Sequence, residues 1–146
     1  MRIYLDSCCL QRPLDDQTQP RIRVESEAVL AILASVQAGD LSLLSSEALE
    51  FEVSRIPDEV RRTEVMAVFG VAREGPVINN EAEILAGLLE GRGVPSMDAV
   101  HLALASIAKA DYFCTCDDKL LRKCQGLSNL TCKVMPVLGL VLEVTK

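Results

Sequence analysis

Apolar positions fall in short blocks whose period switches between that of a strand and that of a helix. Residues 2–5 are a brief, near-continuous apolar run ending at Asp6, which predicts a first strand. A turn-rich stretch follows from Gln11 to Pro20. Ile22, Val29, Ile32, Leu33 and Val36 then recur at helical spacing and predict a helix over 21–38, stopped by Gly39. Residues 41–44 predict a second strand. Ser45 or Ser46 caps a helix over 47–55 that ends before Pro57, and Asp58 caps another over 59–73. Val77 and Ile78 form a short strand candidate, and Asn79 or Asn80 opens a helix to about 91. Ser96 caps a very apolar helix over 97–109. Residues 111–115 predict a further strand, 119–123 a short helix opened by Asp117, and 131–134 a last strand.

Strands separated by helices imply parallel pairing with helices on both faces. The expected architecture is α/β, a three-layer α/β/α sandwich around a parallel, five-stranded sheet. The length, 146 residues, suits one domain spanning 1–146. No repeat, low-complexity stretch or linker interrupts the pattern.

Composition narrows the chemistry. Aromatics are only 3% and Trp is absent, so the core must be aliphatic. The net charge of −6 argues against binding nucleic acid over the whole surface, but is compatible with a local basic rim around an acidic centre. The single histidine, His101, excludes a His-rich zinc site. Six cysteines lack zinc-ligand spacing: Cys8 and Cys9 are adjacent, one residue separates Cys114 from Cys116, and Cys124 and Cys132 stand apart. They read as small buried hydrophobes in a reducing compartment. The start of the chain has no signal-peptide pattern, and no uncharged apolar run reaches about 18 residues. A cytoplasmic protein without a membrane span is expected.

The carboxylates carry the functional signal. In an open parallel sheet, ligands bind beyond the carboxyl ends of the strands. Asp6 follows the first strand and Asp117 follows the 111–115 strand. Asp98 lies in the first turn of the apolar helix, and Glu52 lies on the helix after the second strand. Each acid alone has an ordinary use: a turn for Asp6, a favourable helix start for Asp98, an N-cap for Asp117, a surface position for Glu52. Gathered in one pocket, they would collect a hard divalent cation such as Mg²⁺ or Mn²⁺. One or two such ions suit phosphodiester hydrolysis without histidine or thiolate. His101, one turn after Asp98, is expected to be buried, hydrogen-bonded and orienting that acid. Thr115, two residues before Asp117, stands where it can orient a carboxylate or contact a phosphate, or serve simply as a β-branched strand residue.

Three segments resemble the PIN-domain family. Residues 3–13, IYLDSCCLQRP, resemble its first strand ending in Asp. Residues 95–103, PSMDAVHLA, resemble the helix opened by Asp-Ala-x-His-Leu-Ala. Residues 110–121, ADYFCTCDDKLL, resemble the strand ending Thr-x-Asp. Residues 46–53, SEALEFEV, resemble the helix bearing the family's glutamate, six residues after a Ser, which selects Glu52 over Glu50. The likeness spans residues 3 to about 138. It implies a Mg²⁺- or Mn²⁺-dependent endoribonuclease, similar to the VapC-like toxins of toxin–antitoxin pairs. It also implies a cognate antitoxin protein and a homodimer. Carried over by position, Asp6, Asp98 and Asp117 would bind metal and Glu52 would complete the catalytic set, with Ser7, Thr115 and Asp118 as auxiliaries. Family members commonly have Asn or Thr after the first Asp; here Ser7 and Cys8 follow. Arg12, Lys119, Arg122 and Lys123 are the candidates for an RNA-binding rim. Val60, Val65, Val68 and Val71 belong to the core or to an interface.

Rival readings differ in class. A PIN-like module of weak activity would act through a partner protein. A phosphoacceptor receiver domain needs an adjacent acid pair after the first strand, and Asp6-Ser7 does not supply one. A haloacid-dehalogenase-type phosphatase needs Asp-x-Asp there, and Cys8 occupies the second position.

Overall fold

A computed structural model describes residues 1–72 and 75–144. The chain runs β1 (Arg2–Leu5), α1 (Ser7–Gln11), α2 (Pro20–Gln37), β2 (Ser42–Leu44), α3 (Glu47–Ser54) and α4 (Glu59–Val68). It continues through α5 (Asn80–Gly91), α6 (Ser96–Ile107), β3 (Tyr112–Thr115), α7 (Asp118–Cys124), β4 (Lys133–Pro136) and α8 (Val137–Val144). The sheet is parallel throughout, in the order β2-β1-β3-β4. Helices cover it in a PIN-like α/β/α arrangement, with α2 packed on α8 and α5 on α6.

Burial explains the strand sequences. Ile3, Tyr4 and Leu5 of β1, and Phe113 and Cys114 of β3, are wholly buried. Strands with both faces covered read as continuous apolar runs rather than alternating ones. Edge strand β4 exposes Lys133 and Pro136 and buries Met135. Tyr4 stacks on its register partner Phe113, with ring centroids 5.3 Å apart. Truncating one of these central residues, for example Leu5→Ala, costs about 2–5 kcal/mol through lost contacts and the cavity left behind.

Helix ends follow local chemistry. Ser46, Asp58 and Asn79 each accept a backbone N–H from the first turn of α3, α4 and α5. Pro20 opens α2, where its missing N–H costs nothing. Gly39 and Gly93 follow α2 and α5 with φ of +87° and +93°, a conformation that favours glycine.

The structure departs from the sequence expectation in several places. The sheet has four strands among the described residues, not five. Val77 and Ile78 are exposed coil, and the Ile78 N–H donates to the Glu47 carboxylate at 2.9 Å instead of to a neighbouring strand. Two residues between Pro76 and Asn79 are too few to pay for the ordering of a strand. Ser96 is the first residue of α6, and its cap position falls to Pro95; the Ser96 hydroxyl donates to Glu90 at 2.8 Å. The last strand lies two residues later than expected. Helix α4 ends at Val68 and passes into a 3₁₀ turn over Phe69–Val71, while Arg73, the expected end of that helix, lies outside the described residues. Helices α1 and α8 were not expected. The first is a single turn opened by Asp6, and the second is short, its helical spacing of Val137, Leu140, Val141 and Val144 masked by the exposed Leu138 and Leu142.

The topology positions the site. From β1 the chain moves to β2 on one side and then returns to β3 on the other. The strand order therefore reverses between β1 and β3. A crevice opens beyond the carboxyl ends of strands at such a point. No helix among the described residues is long and apolar enough to cross a membrane.

Candidate active site

A cleft of about 680 Å³ lies at that crevice, and Asp6, Glu52, Asp98 and Asp117 all line it. Ser7, Cys8, Gln11, Arg55 and Arg61 share its walls.

Each acid is set by a different element. Asp6 leaves β1 and caps α1: Oδ1 accepts the Ser7 N–H at 2.8 Å. Its Oδ2 accepts the Thr115 hydroxyl at 3.0 Å and the Cys8 thiol at 3.5 Å. Thr115 Oγ1 in turn accepts the Asp117 N–H at 3.1 Å. One hydroxyl at the end of β3 thus ties the first acid to the backbone of the last. Asp117 caps α7 through Oδ1, which accepts from Lys119 N at 2.9 Å and Leu120 N at 3.3 Å. It is therefore both a helix cap and a cleft residue. Asp98, in the first turn of α6, is half-buried. Asp6, Asp98 and Asp117 form no ion pair among the described residues. Glu52 lines the cleft from α3, whereas the exposed Glu50 accepts the Ser45 hydroxyl at 3.1 Å and does not line it.

Electrostatic crowding appears in the acidities. Burial, followed by the neighbouring Cys8 sulfur, pushes Asp6 up to about 7, against opposing help from His101 and Thr115. Burial, then the charges of Asp6 and Asp117, raise Asp98 to about 6. Glu52 moves the other way, lowered chiefly by His101. Carboxylates that resist ionisation side by side are those a cation would release.

His101 is wholly buried on α6. Its Nδ1 lies 2.6 Å from the Tyr4 hydroxyl, which is also 2.6 Å from Ser46 Oγ. Ser46 Oγ already accepts the Leu49 N–H at 3.0 Å. Burial keeps Tyr4 protonated. One proton order gives every hydroxyl an acceptor: Ser46 donates to Tyr4, and Tyr4 donates to Nδ1. The histidine proton then sits on Nε2, facing Glu52 Oε2 at 3.5 Å. That contact is electrostatic and too poorly formed for a hydrogen bond, so Nε2 is a buried polar atom lacking a partner. One oxygen each from Asp6 and Glu52 and one ring nitrogen of His101 lie within 4.8 Å of one another. His101 is buried and hydrogen-bonded as expected, but it faces Glu52 rather than hydrogen-bonding Asp98.

The expected auxiliaries and rim are dispersed. The Ser7 hydroxyl accepts from Gln11 Nε2 at 2.9 Å, in the cleft wall. Asp118 points away and takes a bidentate contact from Arg21 at 2.8 and 2.9 Å. Arg12 is held by Glu25 at 3.1 Å and Asp15 at 3.0 Å. Lys119, Arg122 and Lys123 are exposed on α7 and do not line the cleft. The cations in the wall are Arg55 and Arg61 instead. Arg61 is anchored to Asp15 at 2.8 Å and to the Leu14 carbonyl at 2.7 Å. Arg55 lies over the exposed Phe51 ring, 5.6 Å from its centroid. Sequence reading missed both arginines. The only signal was their position just after the Glu52 helix and in the next one.

The donor set is hard. Four carboxylates suit Mg²⁺ or Mn²⁺, and the one sulfur beside them, Cys8, donates its S–H to Asp6 Oδ2. The buried His101 Nε2, which does not line the cleft, faces Glu52 from behind that acid.

No family model and no curated protein sequence matches the chain. Solved structures do. VapBC2 from Rickettsia felis, bound to a DNA fragment from its promoter, aligns with TM-score 0.57 and 13% identity, covering 93% of this chain and 98% of that one. PAE2754 from Pyrobaculum aerophilum aligns with TM-score 0.55 and 13% identity, covering 99% of this chain and 98% of that one.

Proposed function

From the VapC-like PIN-domain fold of this chain, we propose that it is a single-domain, divalent-cation-dependent endoribonuclease, the toxin of a toxin–antitoxin pair. The observation that carries this reading is the convergence of Asp6, Glu52, Asp98 and Asp117 on one cleft at the strand switch point.

Asp6, Asp98 and Asp117 would hold Mg²⁺ or Mn²⁺, with Glu52 beside them. When bound, the cation supplies Lewis-acid polarisation and charge neutralisation at a phosphoryl oxygen. The chain does the remaining work. Thr115 and the Ser7 N–H fix both oxygens of Asp6, so that its orientation is set before any ligand arrives. Glu52, kept ionised beside His101, is the group suited to accept a proton from an attacking water. His101 is a positioning residue, itself locked by Tyr4 and Ser46. Arg55, with Phe51 under its guanidinium, offers charge and a stacking face to a single-stranded RNA at the cleft mouth. Lys119, Arg122 and Lys123, exposed on α7 outside the cleft, are further proposed phosphate contacts.

A protein antitoxin and a second copy of the chain are the proposed partners, in the cytoplasm. Exposed Phe51, Val60 and Met66 on α3 and α4 support a partner surface next to the cleft. The test is cleavage of a panel of structured RNAs in Mg²⁺, in Mn²⁺ and in chelator. Cleavage in either metal that stops in chelator is expected; undiminished cleavage in chelator refutes the reading.

A further inference from the structure

Beneath the carboxylate cleft lies a second cluster of different chemistry. Cys8 and Cys9 sit in α1, and Cys116 follows β3. The pairing of β1 with β3 brings these segments together, and the three sulfurs lie within 4.8 Å of one another. Cys9 Sγ and Cys116 Sγ are 3.6 Å apart. In a tetrahedral zinc–thiolate site, bonds of about 2.3 Å place sulfurs roughly 3.8 Å apart, so little movement is needed.

The surroundings suit ligation. The Cys116 N–H donates to Cys8 Sγ at 3.3 Å, but the packed sulfurs and burial hold the Cys8 and Cys9 thiols up, a cost that a bound cation would have to offset. Arg12 interacts electrostatically with Cys116 and offsets the negative charge of a thiolate set. Cys9 and Cys116 are buried, whereas Cys8 is only partly buried and lines the cleft, giving an ion a way in. Cys124 and Cys132 lie outside the group.

We propose that Cys8, Cys9 and Cys116 form a binding site for a thiophilic d¹⁰ cation of the Zn²⁺ or Cu⁺ class, distinct from the hard-cation site at the carboxylates. Soft sulfur donors and hard carboxylates select different ions, so the two sites need not compete. On binding, three S–H bonds break as three sulfur–metal bonds form, and the protons pass to buffer. Cys8 thereby loses the S–H that donates to Asp6 Oδ2. Filling the thiol site therefore alters the acid site, and by linkage the effect is mutual. The inference stands whether or not the chain cleaves RNA.

The test uses the reduced full chain in oxygen-free buffer, with excess Mg²⁺ present, titrated with Co²⁺ as a spectroscopic stand-in for Zn²⁺. An intense sulfur-to-cobalt charge-transfer band is expected, saturating at one ion per chain and displaced by Zn²⁺. Cys116→Ser should lose the band or weaken binding at least about tenfold. Cys8→Ser, at a partly buried position and checked by circular dichroism, should do the same. Cys124→Ser, Cys132→Ser and Asp98→Asn should keep it. Only a weak oxygen-ligand spectrum that disappears in Asp98→Asn would overturn the proposal. A thiolate band that survives both Cys8→Ser and Cys116→Ser would overturn it equally.

Discussion

The two ends of the sheet carry clefts of similar size and opposite character. At the carboxyl ends of β1 and β3 the cleft measures about 680 Å³; at the amino ends of β3 and β4 another measures about 570 Å³. The first gathers four carboxylates. The second has Glu81 and Asp111 with Lys109 among them, and Asp111 accepts the Arg2 N–H at 2.7 Å. Volume therefore does not distinguish them. What differs is how far the acids are satisfied by the protein itself. Asp111 is spent on joining strands. Asp6 and Asp98 sit partly or wholly out of water with no ion pair among the described residues, and burial first, then neighbouring negative groups, raises both in pKa. The buried Glu25 makes the same point from a third place: Arg12 and Arg21 reach it at 3.1 and 3.5 Å, so it is structural. This unpaired crowding is what supports the proposed cation site.

The largest expected effect breaks the comparison at the level of activity. Asp6→Asn, Asp98→Asn and Glu52→Gln should each lower RNA cleavage by about 10²–10³-fold with an unchanged circular dichroism spectrum. Asp111→Ala should leave cleavage within about twofold and cost about 1 kcal/mol of stability in urea unfolding. Equal losses from both ends would erase the distinction.

Cation binding should be similarly one-sided. At 100 times its dissociation constant, Mn²⁺ should stabilise the protein by about 2.7 kcal/mol at pH 8, read as a rise in Tm. Asp6→Asn should abolish that rise, and Asp111→Ala should retain it. Lowering the pH to 5 should shrink it, because protons then occupy Asp6 and Asp98.

Tyr4→Phe sharpens the comparison from beneath the cleft. It strips His101 Nδ1 of its hydrogen bond and should cost about 1–3 kcal/mol in chemical denaturation. Cleavage should fall along with it if His101 orients Glu52.

The pH dependence of the metal-free protein follows from the directions of the shifts. Asp6 and Asp98 have folded pKa values of about 7 and 6, raised above their ordinary 3.8. Their contribution is fully present below that ordinary value and is lost as pH rises through about 6 and 7. Glu52 is lowered, so its contribution is present above its ordinary value and lost in more acid solution. Between pH 5 and 8 the two aspartates govern, and the metal-free protein should become less stable. Asp98→Asn should recover about 1 kcal/mol at pH 8 after allowance for its partial exposure, and nothing at pH 4. Equal thermal stability of the two proteins at pH 8 would contradict the crowding.

The smallest effect lies at the other cleft. Lys109 adopts φ of +60°, a left-handed conformation that costs a residue with a side chain about 1 kcal/mol. Lys109→Gly should be neutral or stabilising by up to that amount, without touching cleavage.

Much of this was legible before any coordinates. The caps at Ser46, Asp58 and Asn79 were readable because a short polar side chain before an apolar periodic run has one dominant local use. The strand at residues 2–5 and the apolar helix bearing Asp98 were visible because burial on both sides leaves an apolar run. Less legible were segments whose pairing depends on distant chain. Val77 and Ile78 look like a strand, but their neighbour is a glutamate side chain. Helix α8 packs Val137, Leu140, Val141 and Val144 inward at helical spacing, but the exposed Leu138 and Leu142 continue the apolar run around it and hide that face in the sequence.

The basic rim shows the same limit. Proximity in sequence pointed to Arg12 and to the α7 cations, yet Arg12 turns inward to Glu25, and Arg55 and Arg61 from other elements line the cleft. A long side chain's position along the chain says little about where its charge ends up.

Residue order alone determined the alternation of strands and helices, the parallel sheet, and the placing of acids at strand ends and helix starts, because local backbone chemistry and burial period write these directly. The preference for Glu52 over Glu50 came from the family resemblance and was not fixed by the residues themselves; in the fold Glu52 lines the cleft and Glu50 lies against Ser45. The meeting of Cys8 and Cys9 with Cys116, across more than a hundred residues, was left wholly to the tertiary structure. Their spacing excluded a zinc motif in the linear chain; the β1–β3 ladder joined the sulfurs anyway, because strand pairing sets distances between side chains that sequence separation does not encode.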